Sequence, residues 1–130
     1  MEGTEKTNRK KILIAEDEQD LREALFVTLA AHGYEVVVAK NGEEALEMAY
    51  VERPDLVVLD LMMPKKNGHE VLEELRKDEW GATAKVLVLT SQGDMDTLSE
   101  TLEKGGHDYL VKSDWSLEEI AVKVRGILEL

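Results

Sequence analysis

The chain has 130 residues, which suits one domain with a single core. Its 28 acidic residues outnumber 16 basic ones, and the formal charge of -12 repels phosphate backbones, so no direct nucleic-acid binding is expected. The absence of cysteine excludes disulfides, thiolate metal sites and cysteine nucleophiles, and it fits a cytoplasmic protein. No apolar run approaches the roughly 20 residues of a membrane span, and the polar stretch at residues 1–10 has no signal-peptide core, so neither membrane insertion nor secretion is expected.

Residues 1–9 have little to bury and are expected to form a disordered polar tail, leaving residues 10–130 as the domain. There, five short apolar runs alternate with five segments of helical period. The predicted strands are Ile12–Ala15, Glu35–Ala39, Leu56–Leu59, Lys85–Leu89 and Tyr109–Val111. Their nearly continuous Ile, Val and Leu content suits strands covered on both faces. The first helical segment carries Leu21, Ala24, Leu25 and Leu29 on one face, and the last carries Leu117, Ile120, Ala121 and Val124. Asn41 with Glu44, and Ser116 with Glu119, have the spacing of N-terminal capping pairs. Gly33 and the Gly105-Gly106 pair are expected to stop helices, and Pro54 separates the second helix from the third strand. The last helix runs to Leu130, so a stand-alone domain is expected.

Repeated strand–helix alternation predicts an α/β fold: a doubly wound, five-stranded parallel sheet with right-handed crossovers and helices on both faces. Such sheets bind ligands outside the carboxyl ends of their strands. The first strand ends in Glu16-Asp17, the third in Asp60, the fourth in Thr90 and the fifth at Lys112. The second ends in Lys40-Asn41, as suits an edge strand. Each of these residues taken singly is more often a turn former, a helix cap or a solvated charge. Their joint occurrence at four strand ends favours a site.

Glu16, Asp17 and Asp60 brought together repel one another unless a cation neutralises them. An oxygen-only donor set favours Mg²⁺, which takes one or two carboxylates and leaves positions for phosphate oxygens. Lys112 offers a point charge to a phosphoryl oxygen and Thr90 a hydroxyl. This set suits phosphoryl transfer, with Asp60 as the carboxylate nucleophile.

The segments ILIAEDEQD, LVVLDLMMPKKNG, VLVLTS and DYLVK, in this order and spacing, closely resemble the receiver domains of bacterial two-component response regulators over about residues 10–130. The resemblance implies a (βα)5 flavodoxin-like fold with strand order 2-1-3-4-5. It implies Asp60 as phosphoacceptor, Asp17 as a direct Mg²⁺ ligand, Glu16 acting through water and the Met62 backbone carbonyl completing the ligands. Thr90 resembles the switch hydroxyl, Lys112 the phosphoryl-pairing lysine and Tyr109 the aromatic switch, while Pro64 and Gly68 match the loop after the acceptor. The implied donor is a sensor histidine kinase or histidine phosphotransfer protein, replaceable by acetyl phosphate. The implied output is a shift in the face formed by the fourth and fifth helices and the fifth strand. The domain would relay the phosphoryl group within a phosphorelay or bind an output protein, as a monomer or a phosphorylation-dependent homodimer. Such a domain is a signalling module, not an enzyme beyond its self-catalysed phosphoryl transfer and dephosphorylation.

The chain departs from the family pattern at three places. Ser113 follows Lys112 where proline is usual; a cis bond before a non-proline residue costs about 3 kcal/mol, which favours a trans, reshaped loop. Met62 is large and apolar beside the path of attacking water, so slow self-dephosphorylation is expected. Ser91 and the Gly105-Gly106 pair stand where the family often has smaller residues or a Gly-Ala pair. His32, His69 and His107 are expected to be surface or capping residues, and Trp80 and Trp115 to pack loops. Two other functions remain to be weighed: a receiver-like interaction module that works without phosphorylation, and a flavodoxin-like cofactor binder. The second lacks a Gly-rich phosphate loop after the first strand.

Overall fold

The computed structural model describes residues 9–91, 99, 101–103, 105 and 108–129. Of the tail expected at residues 1–9, residues 1–8 lie outside the described residues, as do Gly106 and His107. Five parallel strands form one sheet in the order β2-β1-β3-β4-β5: β1 Lys11–Ala15, β2 Glu35–Ala39, β3 Leu56–Asp60, β4 Val86–Thr90 and β5 Asp108–Val111. Helices α1 (Gln19–Ala31), α2 (Gly42–Glu52) and α3 (Gly68–Lys77) follow the first three strands, and a C-terminal helix, Leu117–Leu128, follows β5. Between β4 and β5, residues 101–103 are helical. The expected strand order and edge position of β2 are thus observed. The strand limits move by one residue: β3 and β4 extend to include Asp60 and Thr90, Lys85 falls outside β4, and β1 and β5 each begin one residue earlier.

The strands are apolar throughout because alternate residues feed two separate cores. Leu13, Val57, Leu59, Val86 and Val88 meet α2 and α3 through Ala45, Leu46, Val71, Leu72 and Leu75. Ile12, Ile14, Val58, Leu87, Leu89 and Leu110 meet α1 and the C-terminal helix through Leu25, Leu29, Ile120 and Val124. A period-two chain buried on both sides shows no polar alternation, which is why the apolar runs mark the strands so clearly.

Helix ends follow local chemistry. Ser116 and Glu119 form a reciprocal capping box, and Asn41 accepts the Glu44 N–H at 2.9 Å. The Glu44 carboxylate instead accepts the Lys40 N–H, so that box is offset by one residue. A further complete box, Asn67 with Glu70, starts α3 and escaped the sequence reading, although its spacing is the same. Gly33 and Gly105 adopt φ of 94° and 103°, as expected of helix stops.

The histidines and tryptophans do more than cap. His32 closes α1 and contacts Glu118 at 3.1 Å, while His69 contacts the buried Thr101 hydroxyl at 3.1 Å. Trp80 packs against the α2–α3 core, and Trp115 is partly exposed. Arg76 donates to the carbonyls of Gly81 (2.5 Å), Ala84 (2.9 Å) and Gly105, tying the end of α3 to the approach to β5.

Candidate functional site

The acidic pair sits where β1 runs out. The Glu16 N–H donates to the Ala39 carbonyl at 3.0 Å, extending the β1–β2 pairing by one residue and anchoring Glu16 at the sheet edge. Its carboxylate is wholly buried; Oε2 accepts the Glu18 N–H at 3.0 Å. Asp17 is exposed. Asp60, the last residue of β3, is also buried, and its Oδ1 accepts the Met62 N–H at 3.2 Å. One carboxylate oxygen from each of Glu16, Asp17 and Asp60 lies within 4.8 Å of the other two.

Lys112 enters from the far side of the sheet. Its Nζ is 3.0 Å from Glu16 Oε1 and 3.2 Å from Asp60 Oδ1. The Lys112–Ser113 bond is trans, and Lys112–Asp114 forms a 3-10 turn. With Ser113 in place of proline and this bond trans, the lysine still reaches both carboxylates. Thr90 ends β4 fully buried, and its hydroxyl donates to the Ser91 carbonyl at 3.0 Å. Met62 is exposed at 62% and lies largely in solvent, while Tyr109, at 38%, is only partly covered by the fold.

The loop after Asp60 is held shut by glycines. The Gly68 N–H donates to the Leu61 carbonyl at 2.9 Å, and a Cβ at Gly68 would lie 2.4 Å from the Asp60 carbonyl oxygen. A Cβ at Gly42 would lie 1.8 Å from the Lys66 carbonyl oxygen. Lys65 between them takes a left-handed φ of 69°. Gly68→Ala is expected to push α3 off the β3 end and to lower stability by about 2 kcal/mol, read from the urea midpoint. Of these positions the sequence singled out only Gly68; Gly42 and Lys65 carry no distinct local signal, since a helix-opening glycine is common in any fold.

Burial, and next the charge of Glu16, push the Asp60 carboxyl up to about 8, with Lys112 and the Met62 N–H opposing. Burial works against the Lys112 ammonium, but the Asp60 and Glu16 carboxylates outweigh it and hold its pKa above the usual value. Three carboxylates thus meet one ammonium. Among the described residues the buried Asp60 Oδ2 accepts no hydrogen bond, and the buried Glu16 Oε1 meets only the Lys112 ammonium, at 3.0 Å. An under-satisfied, all-oxygen set with surplus negative charge fits a hard divalent cation.

Comparison with known proteins agrees with this architecture. Residues 12–125 match the family model described as the response regulator receiver domain. A relative described as a probable transcriptional regulator, ycf27, from Cyanophora paradoxa is 44% identical over 121 residues, covering 93% of this chain and 49% of its own. Response regulator MprA of Mycolicibacterium vanbaalenii is 39% identical over 118 residues, covering 91% of this chain and 50% of its own. The chain therefore spans about half the length of the curated relatives it matches. Among solved structures, the receiver domain of Francisella response regulator 1452 superposes with a TM-score of 0.83 at 28% identity, covering 93% of this chain and 98% of its own. Chemotaxis response regulator CheY4 of Vibrio cholerae gives 0.85 at 28%, covering 92% and 99%. With its sheet order, its strand-end acids and its family match in agreement, this chain belongs to the response regulator receiver domain family.

Proposed function

We propose that the domain is a signalling switch that accepts a phosphoryl group on Asp60 in a Mg²⁺-dependent reaction. The observation that carries this is the buried Asp60 Oδ2, which accepts no hydrogen bond among the described residues, in a site built from Glu16, Asp17, Thr90 and Lys112 at four strand ends. Oδ2 attacks phosphorus in line. The new O–P bond forms as the bond from phosphorus to the donor's imidazole nitrogen, or to acetate, breaks and its electron pair leaves with that group. The Met62 N–H holds Oδ1 and so orients the nucleophile.

With its carboxyl raised to about 8, Asp60 is mostly protonated, and unreactive, at neutral pH without further positive charge. Asp17, Asp60, the Met62 carbonyl and Glu16 would hold the Mg²⁺, which when bound would supply the positive charge that favours ionised Asp60 and offsets phosphoryl charge. Lys112 pairs with one phosphoryl oxygen. The Thr90 hydroxyl leaves the Ser91 carbonyl for another, and Tyr109 turns inward behind it. The shift reaches the face made by β5, the C-terminal helix and the helical residues before β5.

The donor is a sensor histidine kinase or a histidine phosphotransfer protein, and the output is relay of the phosphoryl group or binding of a target, in the cytoplasm. Among the described residues no helix is long and apolar enough to cross a membrane. The curated relatives are about twice as long as the matched segment, so they do not support the expectation of a stand-alone domain. Met62 beside the path of water makes the phosphoryl group long-lived; a lifetime of seconds contradicts that part.

The test is intact mass after incubation with acetyl phosphate. One added phosphoryl group is expected with Mg²⁺, and none after chelation or in Asp60→Asn. Addition that persists in Asp60→Asn contradicts the proposal, and so does wild-type protein that takes up no phosphoryl group and binds no beryllium fluoride.

A further inference from the structure

Among the described residues, Arg22, on the first turn of α1, is the one cation besides Lys112 that contacts the acidic pair, and it does so through the backbone. Its Nη1 donates to the backbone carbonyl of Glu16 at 3.0 Å and to that of Asp17 at 3.3 Å. Neither contact is to a carboxylate, and among the described residues Arg22 forms no ion pair. A guanidinium beside three acidic side chains would ordinarily pair with one of them. Here it leaves them free and grips the chain that carries them.

The grip falls at the point of least support. Glu16 is fixed by the Ala39 carbonyl, by the Glu18 N–H and by Lys112. Asp17 is exposed, and among the described residues no cation pairs with its carboxylate, so its position depends on the backbone between Glu16 and Glu18. The Arg22 N–H also donates to the Glu18 carbonyl at 2.9 Å, closing the first turn of α1. Side chain and main chain of one residue therefore bind three successive carbonyls: Glu16, Asp17 and Glu18.

We infer that Arg22 is a positioning residue for the metal ligands, fixing the Glu16–Glu18 backbone so that the Asp17 carboxylate meets Glu16 and Asp60 at coordinating distance. This rests on the reading that the pocket holds Mg²⁺. Groups that orient ligands in this way typically contribute roughly ten-fold or more to metal affinity.

The sign of the effect separates positioning from simple charge. Removing a cation from beside a cation site reduces repulsion, so a purely electrostatic role predicts that Arg22→Met binds Mg²⁺ more tightly. Positioning predicts weaker binding. The experiment measures Mg²⁺ dissociation constants by calorimetry for wild type, Arg22→Met and Arg22→Lys, with thermal midpoints recorded without Mg²⁺. Methionine keeps an apolar stem but no donor; lysine keeps charge and donors on a side chain one atom shorter. The expected result is a dissociation constant raised roughly ten-fold in Arg22→Met, with Arg22→Lys between it and wild type. Equal or tighter Mg²⁺ binding by folded Arg22→Met overturns the inference. If Arg22→Met does not fold, Arg22→Lys decides: affinity equal to wild type overturns the inference, and weaker binding at an unchanged Mg²⁺-free midpoint supports it. Wild-type protein that binds no Mg²⁺ overturns the metal reading itself, which is a different failure.

Discussion

Asp60→Asn is expected to stabilise the Mg²⁺-free domain by about 3 kcal/mol above pH 8, roughly 10 °C in Tm for a domain of this size. The folded state raises the Asp60 carboxyl from 3.8 to about 8, chiefly by burial and by the Glu16 charge. Below the unfolded value both states hold the proton and the group contributes no penalty. As pH rises from about 4 to about 8 the unfolded chain releases the proton while the folded chain keeps it, so stability falls across that window and then levels. A shift of about 4 units is worth at most about 6 kcal/mol, and relaxation with water entry around the ionised group removes about half. Asparagine has no such titration. The advantage of Asp60→Asn should therefore shrink towards pH 4, and Mg²⁺ should narrow it at high pH by stabilising only the wild type. Denaturant midpoints across the pH range check this; a wild type that gains stability between pH 4 and pH 8 relative to Asp60→Asn contradicts the assigned burial of charge.

Lys112→Met is expected to have the largest effect of any single change at the site, on both stability and chemistry. Its ammonium lies 3.0 Å from Glu16 and 3.2 Å from Asp60, and both carboxylates are buried. Removing one partner of a buried pair leaves the other uncompensated, which costs about 3 kcal/mol at neutral pH. At neutral pH that cost falls on Glu16, since Asp60 holds its proton; above pH 8, where Asp60 ionises, the loss should be smaller in the Asp60→Asn background, and a double-mutant cycle in urea measures that coupling. Phosphorylation by acetyl phosphate should slow by about 100-fold, the usual consequence of removing a donor aimed at developing phosphoryl charge. A Lys112→Met protein as stable as wild type and phosphorylated at the wild-type rate would show that the ammonium contacts are incidental.

Much of this was legible in the chain because both faces of the sheet are covered. Continuous runs such as Leu56–Leu59 admit few alternatives, and the polar residue that ends each run then falls at one edge of a parallel sheet. Glu16, Asp17, Asp60, Thr90 and Lys112 group together on that basis from the sequence alone. The family pattern added the roles, among them the reading of Tyr109, which spacing alone does not mark.

What escaped notice depends on backbone partners. Arg22 reaches carbonyls five and six residues earlier, and a carbonyl has no letter in the sequence. Gly42 is required by the Lys66 carbonyl, which comes near only once the loop has folded back. The Lys112–Ser113 loop was expected to reshape, but only the structure showed the ammonium still reaching both carboxylates. The Asn67–Glu70 box is the exception: its spacing was visible, yet the resemblance had already assigned that segment to the loop after Asp60.

The central claim is that Asp60 itself receives the phosphoryl group. Its most direct test is reduction of the acetyl phosphate-treated protein with borohydride, which cleaves an acyl phosphate to the alcohol, followed by peptide mass mapping. The expected product is homoserine in place of the aspartate at position 60, absent when Mg²⁺ is chelated. Homoserine at position 17, or a phosphoryl group that resists borohydride and maps to His69, would contradict the account.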